Sequence, residues 1–164
     1  MKYLGNYSSL VSEELVDYLL KTKGSPQPDQ IKDCYQAGFT EYTDKSLELH
    51  PNLYWEVFEN KNEKCFIKWP VSLSNDYEEV ITKLAPGNYL PMHVDPNPEN
   101  CKRYFMALVD YDPGHILVWG NNIPKDYKKG DLWEFNNVMD LHGSSNISHT
   151  VRLVAHLTVW NVNE

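Results

Sequence analysis

The chain is poor in cysteine, in basic clusters and in long apolar runs, and each shortage removes a class of protein. Its three cysteines, Cys34, Cys65 and Cys101, are odd in number and show no Cys-x-x-Cys spacing. A disulfide framework, a zinc ribbon and a dithiol redox pair are therefore not expected, and the thiols read as reduced. Lysine and arginine total 15 against 23 aspartates and glutamates, for a net charge of −8. The nearest thing to a basic cluster, Lys61, Lys64 and Lys68, is interleaved with Glu59 and Glu63. Such a surface lacks the long-range attraction that a nucleic-acid partner requires. No stretch of about eighteen apolar residues could span a membrane, and residues 1–9 hold no apolar run of the signal-peptide kind. A cytoplasmic protein without a membrane partner is expected. Phosphate-cradling glycine loops are missing, as is a Gly-x-Ser-x-Gly elbow. Ser144 and Ser145 sit near His142, but no acid is placed to complete a hydrolase triad.

What the chain has in quantity is aromatic residues, 13% of the whole, with eleven Tyr and five Trp. They fall in short segments parted by Pro, Gly and Asn, a texture that favours sheet over helix. One helix is expected, over residues 9–23, where Leu10, Val11, Leu15, Val16, Leu19 and Leu20 recur at near-helical spacing. Ser12 is its candidate N-cap and Gly24 its candidate stop. Residues 25–33 hold two prolines and read as an exposed loop. Strands are expected over residues 53–58, 65–69, 79–84, 89–94, 104–109, 116–119, 132–135 and 151–160. Nothing of crossover-helix length separates them, so the architecture is a mainly antiparallel sandwich, jelly roll or barrel with a front helix, in a single domain.

The chemistry begins at residues 85–95, Ala-Pro-Gly-Asn-Tyr-Leu-Pro-Met-His-Val-Asp. Pro86-Gly87 suits a type II turn, after which a strand runs toward Asp95. Residues two apart on a strand point the same way, so His93 and Asp95 can share one cation. Taken alone, His-x-Asp also fits a surface histidine beside a turn-forming aspartate. His142 and Arg152 add to it: they stand ten residues apart, and an antiparallel pair joined by the Ser-Ser-Asn-Ile-Ser loop would bring imidazole and guanidinium into one cavity. His149 rivals His142, but it precedes Arg152 by an odd number of residues, which points the two apart on a strand. His156 shares the face of Arg152 and reads as a core histidine, whereas His115, after Asp112-Pro113-Gly114, and His50, before Pro51, read as exposed. Trp119, Trp133 and Trp160 read as core packing.

This order, a Pro-Gly turn, His93-x-Asp95, His142 and then Arg152, resembles the iron(II)/2-oxoglutarate oxygenase superfamily over about residues 78–160. His-Val-Asp followed by Pro and Asn looks like prolyl-hydroxylase-type members, while the segment from Phe135 to Trp160 looks more like aspartyl/asparaginyl hydroxylases. The resemblance implies a mainly β (α+β) fold, a cupin-like double-stranded β-helix core at about 78–160 with an N-terminal helical and strand extension over 1–77. It also implies that His93, Asp95 and His142 hold Fe(II) as a two-histidine, one-carboxylate triad, and that Arg152 binds the distal carboxylate of 2-oxoglutarate. The implied reaction is hydroxylation of a C–H bond of a Pro, Asp or Asn side chain, in a small molecule or peptide, with 2-oxoglutarate decarboxylated to succinate. Aspartyl hydroxylases often lack the carboxylate ligand that Asp95 would supply here. Prolyl hydroxylases carry a 2-oxoglutarate-binding Tyr at roughly the position of Val109, and Arg103 or Tyr104 are the candidate substitutes. A cupin-like metal-binding protein with other chemistry, and a degenerate barrel kept as a binding module, are the alternatives. Residues 25–50 and 121–129 are candidate covers for the site.

Overall fold

A computed structural model describes residues 1–26, 52–61, 64–94, 101–135 and 140–160. They form ten strands: β1 (Lys2–Asn6), β2 (Ser25–Pro26), β3 (Glu56–Lys61), β4 (Tyr77–Leu84), β5 (Tyr89–His93), β6 (Cys101–Ala107), β7 (His115–Trp119), β8 (Asp131–Phe135), β9 (His142–Asn146) and β10 (Arg152–Trp160). Seven make a large sheet in the order β1-β8-β6-β10-β4-β3-β2, and three make a small one in the order β5-β9-β7. Every named pairing is antiparallel. Successive strands from β4 to β10 repeatedly change sheet, which is the winding of a double-stranded β-helix, or jelly roll.

Alternation along each strand gives the large sheet two buried faces. Leu153, Ala155, Leu157 and Val159 of β10, with Tyr104 and Met106 of β6, join an outer core beneath the one α-helix among the described residues, α1 (Glu13–Lys21). Arg152 and Val154 of β10, with Phe105 and Ala107 of β6, are buried on the opposite, inner face. Val154, Phe105 and Ala107 pack there with Leu117 and Trp119 of the small sheet.

The helix is shorter than the 9–23 pattern. The Ser12 side chain accepts a hydrogen bond from Leu15 N at 3.1 Å, an N-cap that starts the helix, while Ser8–Leu10 form a separate 3-10 turn. It ends before Gly24, at Thr22, where Lys83 of β4 donates to the last carbonyls, Leu20 O at 3.3 Å and Thr22 O at 2.9 Å.

Four expectations need correction. Residues 65–69 are not a strand: they are held by the buried Glu79 carboxylate, which accepts from the backbone at Phe66 N and Ile67 N and from the indole Nε1 of Trp69. Ser25–Pro26 pair with β3 at the sheet edge, where proline is tolerated, so the loop expected at 25–33 begins as strand. The Ser-Ser-Asn stretch expected as a loop is strand β9. His142 and Arg152 therefore do not lie on a hairpin pair, since β9 belongs to the small sheet and β10 to the large one. None of the described helices is long and apolar enough to cross a membrane.

Candidate metal and anion site

The small sheet brings two histidines together by register. His93 on β5 is the Cα partner of His142 on β9, and His142 is in turn the partner of Trp119 on β7. All three are buried, and the two imidazole centroids stand 4.2 Å apart. Trp119 stacks on His142 at 3.7 Å and 17°, and on Phe135 of β8 at 3.6 Å and 11°. The indole thus fixes the imidazole plane and ties the small sheet to the large one.

Each histidine has its tautomer set by its own backbone. His93 Nδ1 lies 2.8 Å from Pro91 O and His142 Nδ1 lies 3.0 Å from Asp140 O. A carbonyl only accepts, so both Nδ1 atoms carry the proton and both Nε2 atoms the lone pair, the arrangement of metal-ligating histidines. Burial lowers the His93 pKa, and burial followed by the neighbouring His93 pushes His142 down to about 3. Both rings are neutral at physiological pH, as metal coordination requires.

Among the described residues no three His, Cys, Asp or Glu side chains are grouped to hold a metal. Asp95, the expected third ligand, lies outside the described residues, as do His50 and most of the candidate cover at 25–50. Two neutral imidazoles with matched tautomers, 4.2 Å apart by centroid, are a donor set that suits a first-row divalent cation.

Arg152 opens the inner face of β10 and is 1% exposed. Its guanidinium carbon stands 5.9 Å from the Phe105 ring centroid, while Nε and Nη2 meet no hydrogen-bond partner among the described residues. Burial pulls its pKa below the ordinary arginine value, partly offset by Tyr127. His156, four residues along the same face, is pushed down to about 3 by burial and then by the Arg152 charge, with His142, Arg103 and His93 adding to it. It links the two ends of the site, its ring 5.6 Å from that of Phe105.

The two substitute residues expected to contact 2-oxoglutarate part company. Arg103 is on the inner face, level with Thr158 and Phe135, and its charge reaches His93 and His142. Tyr104, one residue on, packs in the outer core with the helix, so alternation removes it from the site. His149 is exposed, unlike the buried pair. His115, expected at the surface, is 1% exposed: its Nδ1 accepts from Asp112 N at 3.4 Å and its Nε2 faces Thr150 O at 3.3 Å.

Sequence reasoning missed Tyr127, whose ring is 2% exposed among the inner-face apolar side chains and whose hydroxyl has no partner among the described residues. Pro124-Lys125-Asp126 before it gives no strand or helix period, so only the length of the loop drew attention to it. That loop is tied down: Tyr111 N donates to Tyr127 O at 2.9 Å and Lys129 N to Asp110 Oδ1 at 2.8 Å.

No protein-family model and no curated protein matches the chain. Among solved structures it is similar to a Cupin 2 conserved barrel domain protein from Salinispora arenicola, at 13% identity and TM-score 0.41, over 77% of this chain and 91% of that one. It is similar also to a Klebsiella pneumoniae protein with a double-stranded β-helix domain, at 19% identity and TM-score 0.41, over 57% and 76%. A third is a mutant of Bacillus subtilis oxalate decarboxylase, at 13% identity and TM-score 0.44, over 65% and 28%. The fold is a cupin-like double-stranded β-helix, mostly antiparallel strands with a single helix, near the N-terminus, among the described residues.

Proposed function

We propose that this barrel is a non-haem iron(II), 2-oxoglutarate-dependent oxygenase that hydroxylates a C–H bond, with a Pro, Asp or Asn side chain, free or peptidyl, as the substrate class. The observation that carries this reading is Arg152, a buried guanidinium with two unpartnered donors on the face that looks toward two neutral, tautomer-matched imidazoles. A buried charge without a partner costs several kcal/mol, which makes the position intelligible as one half of an anion site. A carboxylate matches the planar fork of arginine with two parallel hydrogen bonds.

His93 and His142 would hold the iron through Nε2, with Asp95 as the carboxylate of the triad. Iron(II) with 2-oxoglutarate supplies, when bound, dioxygen activation coupled to decarboxylation of the oxoacid to succinate. The chain's own part is positional. Pro91 O and Asp140 O keep both Nε2 lone pairs turned away from the backbone, and Trp119 holds His142 in plane. Arg152 anchors the far end of the oxoacid, and the apolar wall of Phe105, Val154 and Leu117 keeps water from it.

The test is turnover of 2-oxoglutarate under air with iron(II) and ascorbate. Succinate should form, stop in His142→Ala, and require a much higher 2-oxoglutarate concentration in Arg152→Lys. Stoichiometric metal binding with no 2-oxoglutarate dependence would defeat the reading in favour of a cupin with other chemistry.

A further inference from the structure

The inner face of the large sheet is sealed at one end and open at the other. Toward Arg152, the row of Thr82, Val154 and Ala107 is buried. The next row sets Val80, His156 and Phe105 side by side, and the row after it Glu78, Thr158 and Arg103. Val80, His156, Glu78, Thr158 and Arg103 are all partly exposed, although the outer-face residues between them, Glu79, Leu157 and Val159, are buried. β10 is the middle strand of the seven, so solvent reaches His156 and Thr158 through the space between the two sheets.

The row at this mouth carries charge of both signs. Strands pair at about 4.8 Å, so the Glu78 and Arg103 backbones stand about 10 Å apart with Thr158 between them. Arg103 is on the metal side: it pairs with Phe135, which stacks on Trp119 and through it meets His142. Glu78 is on the far side, and its charge offsets the lowering of the Arg103 pKa by burial. A half-buried pair of this kind contributes little more to stability than well-packed apolar side chains do. The fold therefore gives no reason to keep it on the floor of an opening beside two candidate metal ligands, whereas a ligand with opposite charges close together does.

We propose that Glu78, Thr158 and Arg103 are the specificity site for a free amino acid: Arg103 takes its α-carboxylate, Glu78 its α-ammonium, and the Thr158 hydroxyl between them bonds to either. A free amino acid carries both charges on one carbon, whereas a peptidyl residue offers two neutral amides in their place. A site that expects both charges rejects an analogue lacking one, because a half-buried partner is then left unmet. Of the free and peptidyl forms of the substrate, the row selects the free one. That the bound amino acid is hydroxylated rests on the oxygenase reading above.

The experiment is anaerobic calorimetry on the full chain loaded with Mn(II), with and without 2-oxoglutarate. The probes are L-proline, L-aspartate and L-asparagine, with the N-acetyl and the α-amide form of each. One of the free acids should bind, and both of its blocked forms should bind roughly tenfold or more weakly, as for a lost hydrogen bond to a charged group. Glu78→Gln should erase the preference over the N-acetyl form alone, and Arg103→Gln the preference over the amide alone, with Mn(II) still bound at wild-type stoichiometry. The wild-type panel decides the matter even where a variant does not fold. Blocked forms that bind as well as the free acid, or no binding by any of the three free acids, would overturn the site while leaving the oxygenase reading standing. Succinate release from 2-oxoglutarate under air, measured separately, follows that reading alone: its absence beside an intact preference for the free acid would remove the hydroxylation and keep the amino-acid site.

Discussion

Glu79 is fully buried on the outer face of β4, where its carboxylate accepts from Phe66 N at 2.6 Å, Ile67 N at 3.2 Å, Trp69 Nε1 at 2.9 Å and Asn60 Nδ2 at 3.3 Å. One side chain thus replaces the ladder that residues 65–69 lack. Glu79→Gln exchanges one acceptor oxygen for a donor facing donors. It should cost about 3 kcal/mol in urea unfolding, with the slope unchanged. Sequence legibility was uneven at this scale. The exclusion of Tyr104 follows from strand alternation, because it adjoins Arg103 on β6 and the two cannot share a face. The burial of His115 does not follow from its turn: Asp112-Pro113-Gly114 places the backbone, but Thr150, thirty-five residues away, receives the ring. A long-range partner of that kind leaves no local mark.

Elements were legible where their own composition favours them. β4, β6, β8 and β10 carry branched and aromatic residues at period two and were anticipated to within a few residues. β9, with the sequence His-Gly-Ser-Ser-Asn, has no such signature and is a strand because β5 and β7 pair with it on both sides. Its glycine is demanded by one of those neighbours: a Cβ on Gly143 would meet Pro91 O and Met92 Sδ at 2.9 Å each. Gly143→Ala must therefore push β5 away from β9, the seam on which His93 faces His142. Divalent-metal affinity should fall at least tenfold while the fold, read by far-ultraviolet circular dichroism, persists. Gly130 has a different role. Its φ is 88°, and a Cβ there would lie 2.2 Å from Ser8 N, beside the bond from Tyr7 N to Gly130 O. Gly130→Ala should destabilise the protein by about 2 kcal/mol or more. Faster amide exchange in β1, which pairs with β8, would locate the damage.

For the whole molecule, the jelly roll places neutral histidines inside it, and acid acts on them. Burial lowers the pKa of His115 from 6.5, so the folded protein keeps this ring neutral while the unfolded chain protonates it near that value. Protons then favour the unfolded state: the contribution of His115 is whole above about pH 6.5 and is lost as pH falls below it, toward its folded value. Melting temperature should decline from pH 7 to pH 5, with a shallower decline in His115→Gln. The winding that brings β5, β9 and β10 around one interior was recoverable from the order of motifs but not from periodicity, because hydrophobic alternation gives the faces of strands and not which sheet receives each one. On the proposed reading, metal and oxoacid are held by that one interior, His93 and His142 at one end and Arg152 at the other. Anaerobic addition of iron(II) and 2-oxoglutarate tests it by absorbance. A weak visible band should appear only when both are present, vanish in His142→Ala and weaken in Arg152→Ala; no band with the native protein would contradict the account.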